Sequence, residues 1–149
     1  MNAMKITETE WNPDKKLIVT RLSGDVTETD IIAWEQSLQN ALEQIDAGGT
    51  FKIFVNIYGF KATDLKAHKR YREIIPLTLA SYGWKVGYVD LFEEAASMQF
   101  TNTRGIRCIG AAHAHQDATK IEAYEERFGR ADERFFTEQQ KAYDWILAL

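Results

Sequence analysis

Cysteine is nearly missing from this chain. Cys108 stands alone among 149 residues, so no intrachain disulfide can form and a reducing compartment is the simplest setting. Long apolar runs are missing too: no stretch approaches the roughly 18 residues of a membrane-spanning helix, and no charged-then-apolar leader with a cleavage site is found. A cytoplasmic protein without a membrane span is therefore expected. There is no basic excess, because 18 Lys and Arg stand against 22 Asp and Glu for a net charge of −4. That balance argues against nucleic acid, whose phosphates call for a clustered basic surface. The serine-nucleophile elbow, the phosphate-cradling glycine-rich loop and zinc-type cysteine pairs are all absent.

What is present suits an ordinary globular domain. The hydrophobic fraction is 45% and the aromatic fraction 12%, enough for one domain over residues 1–149 that buries about two thirds of its unfolded surface. Residues 50–83 organise the rest. Phe51, Ile53, Phe54, Val55 and Ile57 form an almost continuous run of β-branched and aromatic residues, as in a strand covered on both faces. Gly59 permits a bend, and Thr63 or Asp64 is placed to cap the helix that begins at Leu65. On that helix Leu65, Tyr71 or Arg72, Ile75, Leu79 and Tyr82 make one apolar stripe, and Pro76 is expected to kink or split it.

Upstream, residues 4–10 and 15–22 flank the turn tetrapeptide Trp11-Asn12-Pro13-Asp14 and predict a β-hairpin with a polar edge strand. Thr27 and Asp30 make a capping box for a helix carrying Ile31, Trp34, Leu38, Ala41, Leu42 and Ile45 inward. Downstream, residues 84–91 read as a strand, 92–98 as a short helix, and 106–112 as a second buried strand. Thr119 with Glu122 predicts another capping box, opening a helix that turns Ile121, Tyr124 and Phe128 inward up to Gly129. A short strand over residues 133–136 leads to a closing helix capped by Thr137 and Gln140, with Ala142, Trp145, Ile146 and Leu149 inward. Alternation of strands and helices after an opening hairpin predicts an α/β fold: a mixed, mostly parallel sheet of about five strands with about four helices.

Asn56-Ile57-Tyr58-Gly59-Phe60, the strand over residues 106–112, and Arg134-Phe135-Phe136 followed by Ala142-Tyr143-Asp144-Trp145-Ile146 carry a resemblance. The chain resembles the SpoIIAA-like branch of the STAS domains over nearly its whole length. That resemblance implies a regulatory or interaction module. It also implies that the family's phosphorylation switch is absent, because Asp64 matches the family's aspartate while Leu65 and Lys66 fall where it has serines; Thr63 is the nearest hydroxyl. The branch is itself similar to CRAL-TRIO lipid carriers, which implies an apolar ligand between sheet and helices.

The candidate chemistry is sparse. His113, His115 and Asp117 at a strand end form the most metal-like string, against a bland reading as a polar strand-to-helix connection with Asp117 starting the helix. Lys61, Lys66, His68, Lys69, Arg70 and Arg72 cluster near free helical amides and suit an acidic partner, or else form a solvated face. Cys108, between Ile106 and Ile109, reads as a small core residue rather than a nucleophile. The adjacent pairs Glu93-Glu94 and Glu125-Glu126 diverge on a helix and make poor acid-base pairs. Tyr58, Phe60, Tyr71, Tyr82, Trp84 and Tyr88 line a pocket or fill the core.

No cofactor and no catalytic residue is expected. The leading expectation is a non-catalytic interaction module, binding an unidentified protein partner through residues 58–66 (Tyr58, Phe60, Lys61, Asp64, Lys66) and the face bearing Lys69 and Arg70. The alternative is a carrier of a small apolar or lipid-like ligand, lined by Tyr71, Ile75, Tyr82 and Trp84. A metal-dependent enzyme using His113 and His115 ranks third. Homodimerisation through an edge strand or an exposed helix is compatible with all three.

Overall fold

The computed structural model describes residues 5–91 and 96–149. The helix expected over residues 92–98 falls partly outside the described residues, and the pair Glu93-Glu94 falls wholly outside them. The hairpin forms from β1 (Ile6–Asn12) and β2 (Leu17–Val26), paired antiparallel. Then come α1 (Glu28–Glu43), β3 (Thr50–Asn56), β4 (Phe60–Ala62), α2 (Leu65–Ala80), β5 (Arg107–Ala114), α3 (Ala118–Phe128), β6 (Glu133–Phe136) and α4 (Gln139–Ala148). The sheet has six strands in the order β1-β2-β3-β5-β6, with β4 paired to the far end of β2. Every pairing except the hairpin is parallel, as expected for a mixed, mostly parallel α/β sheet.

The two faces of the sheet are unequal. One carries the main core: Ile18, Leu22, Ile53, Val55 and Ala111 meet Trp34, Leu38 and Leu42 of α1 and Ile75 and Leu79 of α2. The other carries a smaller core in which Leu17, Phe54, Ala112 and Ala114 meet Ala142 and Ile146 of α4. A register shift in the β3–β5 pairing leaves Ile109 as an extra residue, and its side chain is exposed. A bulge of this kind resets the alternation of the strand. Cys108 and Ala111 consequently share the main-core face.

Local signals behave as the sequence predicts in several places. Thr27 and Asp30 form a reciprocal capping box on α1, and Asp64 caps α2 by accepting the Ala67 N–H at 2.8 Å. Three expectations are corrected and one, the kink or split at Pro76, is narrowed. The strand predicted over residues 84–91 does not form: Val86 and Val89 are buried, but the segment folds back on itself through Val89 N–H to Val86 and Leu91 N–H to Tyr88. The sheet position beside β3 is filled by β5, and the apolar run packs into the main core without pairing. The sixth strand is β4, which follows the Gly59 turn where a loop was expected. The caps of the last two helices also differ: Asp117 caps α3 by accepting the Lys120 N–H, and α4 starts after Glu138 without a side-chain cap bond. Finally, α2 runs from Leu65 to Ala80 as one helix with Pro76 inside it, so it is not split.

No helix among the described residues is long and apolar enough to cross a membrane.

Candidate functional site

A cavity of about 260 Å³ opens where β3 and β5 end, between α2 and α3. In sheets of parallel strands this carboxyl end is the usual place for a ligand. Four side chains of α2 reach it, His68, Tyr71, Arg72 and Ile75, and their spacing of three, one and three residues is one helical stripe. Across from them α3 presents Lys120, Ile121 and Tyr124. The strands supply Val55, His113 and Phe135, and the residues just beyond them supply Ile57 and His115. His113 and His115 are two apart on an extended chain and so point to one side, as the alternation predicts. All three histidines of the chain therefore border one cavity.

The wall is aromatic. Tyr71 stacks on Phe60 at 4.3 Å between ring centres and lies 5.9 Å from the Trp34 ring. Tyr88 lies edge-on to His113 at 5.7 Å, and His113 is edge-on to Phe135 at 4.6 Å. Burial pushes the Tyr71 phenol up, with Tyr124 adding to it. Burial also raises Tyr88 well above its ordinary value, followed by Tyr71, Glu133 and Tyr124. Both phenols stay neutral and can donate hydrogen bonds across the physiological range.

Behind the wall sits Glu133, fully buried at 0% exposure. One of its oxygens lies 2.7 Å from His113 Nε2, while the other accepts the Gly87 N–H at 2.8 Å and lies 3.3 Å from Arg130 Nη2. The Arg130 guanidinium also donates to the Lys85 carbonyl and covers the Trp84 ring. These bonds hold residues 84–88 in place, so that Tyr88 closes one side of the cavity. Gly87 has to be glycine, because a Cβ there would meet Phe128 Cβ at 2.8 Å.

His68 and His115 line the more open side. Burial lowers the pKa of both imidazoles, and the Lys120 charge lowers it further; Arg72 adds to this at His68, while Asp117 opposes it at His115. His115 Nδ1 accepts the Asp117 N–H at 2.9 Å, which leaves its Nε2 as the hydrogen-bearing nitrogen of the neutral ring.

The structure separates the residues singled out from the sequence. Tyr71, Ile75, Tyr88, His113 and His115 share the cavity, with His68 and Arg72 from the basic cluster. Tyr82 and Trp84, expected in the same lining, lie instead in the main core, Tyr82 edge-on to Phe51 at 5.4 Å. Asp117 caps α3 and does not join the histidines. Among the described residues no three His, Cys, Asp or Glu side chains gather closely enough to hold a metal. Cys108 is buried and its thiol is pushed up to about 12, chiefly by burial. On the basic face, Lys66 and Arg70 reach across to Glu28 and Glu35 of α1, at 3.7 and 3.2 Å. Tyr58, Lys61 and Lys69 remain exposed, and Phe60 is buried. Glu133, Lys120 and Tyr124 were not singled out as site residues. Helical spacing could have found Lys120 and Tyr124, whereas nothing local marks Glu133 for burial.

Comparison with protein-family models, with curated proteins and with solved structures gives no match.

Proposed function

We propose that this protein is a non-catalytic binding protein for a small molecule with an apolar, ring-bearing body. The observation that carries the reading is the 260 Å³ cavity at the carboxyl end of β3 and β5, walled by Tyr71, Tyr88, Tyr124 and Phe135. Such a cavity is concave and largely aromatic, with a few polar groups converging on it, which is the usual form of a small-ligand site. The element order of hairpin, helix, strand, glycine turn, helix, strand, helix, strand, helix supports a divergent STAS-like domain as its scaffold. A cytoplasmic setting is part of the proposal and fits the single buried thiol.

Native mass spectrometry of freshly purified protein, repeated under denaturing conditions, tests the reading. The expected result is an added mass that vanishes on denaturation, or saturable uptake of 2-naphthol by the apo form. Either should be lost in Ile121→Phe, which puts a ring into the cavity. A clean apo mass with no uptake of 2-naphthol would contradict it.

Leu65 favours a second reading, the interaction module. It is 83% exposed at the start of α2 and sits beside exposed Lys61, Lys66 and Lys69, an apolar contact ringed by basic groups. Its homodimeric form is tested by sedimentation of wild type and Leu65→Asp over a concentration series. A monomer throughout would remove that form.

A further inference from the structure

We infer that the ligand is an anion: its ring-bearing body occupies the aromatic cavity, and its carboxylate lies between His68, His115 and Lys120. This rests on the proposal that the cavity binds a small molecule, and it names the ligand's chemical class. A second space of about 290 Å³ adjoins the first, and Ile57, His68, Tyr71, His115 and Lys120 border both. Among the described residues, the inner cavity is bordered by Arg72, Lys120 and three imidazoles and by no Asp or Glu. The outer space adds Lys61 and one carboxylate, Asp64, which is engaged in capping the Ala67 N–H. In a chain of net charge −4 this concentration of bases runs against the composition.

The three bases common to both spaces, His68, His115 and Lys120, lie where the spaces meet, and the inner one extends from them between Ile75, Tyr88, Ile121, Tyr124 and Phe135. A cation would be repelled there, whereas an anion is drawn in. Size narrows the class further. An apolar cavity of about 150 Å³ accepts benzene, and drug-sized ligands need about 300 Å³ or more. The inner 260 Å³ therefore suits a body of one or two rings.

The imidazoles give the binding a pH signature. The groups facing them are Asp64, Tyr71 and Arg72 on α2, Lys61 on β4, and Asp117, Lys120 and Tyr124 at α3. Burial and Lys120 hold His68 and His115 toward the neutral form in the free protein. A carboxylate placed between them offsets the lysine charge, so binding takes up protons and tightens as the pH falls from about 8 to about 6.

The test is calorimetry on the full chain with two matched pairs, benzoate against benzamide and 2-naphthoate against 2-naphthamide. At least one acid should bind about tenfold or more tightly than its amide, the size expected for a hydrogen bond to a charged group. The heat should vary with the ionisation enthalpy of the buffer. Lys120→Glu and His68→Gln, both at exposed positions, should remove most of the acid's advantage over its amide and leave the melting temperature at pH 8 unchanged. Equal binding of acid and amide would overturn the anion and leave the cavity proposal standing. An acid preference that survives both substitutions would overturn the placement of the carboxylate. Failure of all four probes at millimolar concentration would overturn both proposals.

Discussion

The polar cluster beneath α1 and the polar cluster beneath α3 lie on the same face of the sheet, yet only the second borders a cavity. Under α1 the Trp34 indole N–H donates to Thr20 Oγ1 at 2.7 Å. Thr9 Oγ1 lies 2.8 Å from both Thr20 Oγ1 and Ser37 Oγ, and Ser37 donates to the Trp34 carbonyl at 2.7 Å. Trp34 and Thr20 are both 0% exposed, and the half-buried Thr9 and Ser37 complete the network from its rim. Under α3, Glu133 is equally buried and equally bonded, but its partner His113 has a ring face on open volume. Saturated hydrogen bonds hold both clusters; what separates them is whether large side chains fill the space beside the polar atoms.

The largest expected effect comes from breaking the cluster under α1. Trp34→Ala should lower stability by about 3–5 kcal/mol in urea unfolding, since it removes a fully buried indole and one of the hydrogen bonds at Thr20 Oγ1. Because the Trp34 ring backs Tyr71 of the cavity wall, probe affinity of the folded variant should fall as well. Next is Glu133→Gln, which keeps the shape but sets an amide N–H₂ against groups that now donate to the carboxylate. A loss of about 1–3 kcal/mol is expected, and probe affinity should also fall because residues 84–88 lose their anchor. Unchanged affinity would mean that those residues do not shape the cavity.

A smaller, pH-dependent difference should follow from the imidazoles. The folded-state pKa values of His68 and His115 lie below the ordinary 6.5. Their contribution to stability is therefore complete above 6.5 and is lost as the pH falls through the depressed values. Between pH 8 and pH 5 the melting temperature of the His68→Gln, His115→Gln double variant should fall less than that of wild type. The smallest effect belongs to the α1–α2 surface. Arg70→Ala should cost no more than about 0.5 kcal/mol, because its pair with Glu35 is largely solvated.

The same contrast explains what could be read from the chain. The α1 side was legible because its signals are local: the Thr27–Asp30 box, and the stripe from Ile31 through Trp34 and Leu38 to Leu42. The α3 side was legible only in pieces. His113 of β5 and His115 just beyond it point to one side as the alternation required, but their neighbours come from α2, α3 and β6, at distances no local pattern encodes. The bulge at Ile109 adds to this, since the strand's alternation is reset by its pairing with β3 and not by its own residues. Residues 84–91 misled for a related reason. Val86, Tyr88 and Val89 have strand composition, and their burial is real, but the ladder position they would need belongs to β5. Tyr82 and Trp84, near the cavity in sequence, pack into the main core for the same reason.

The central claim is that the α2–α3 cavity, rather than the exposed turn before α2, is where this protein meets its ligand. Amide-resolved NMR during titration with 2-naphthoate tests it most directly. The account predicts saturable shifts centred on Ile57, His68, Arg72, Tyr88, His115 and Ile121, with Thr9 and Thr20 unmoved. Shifts confined to Tyr58, Lys61 and Leu65, or no saturable shift at all, would contradict it.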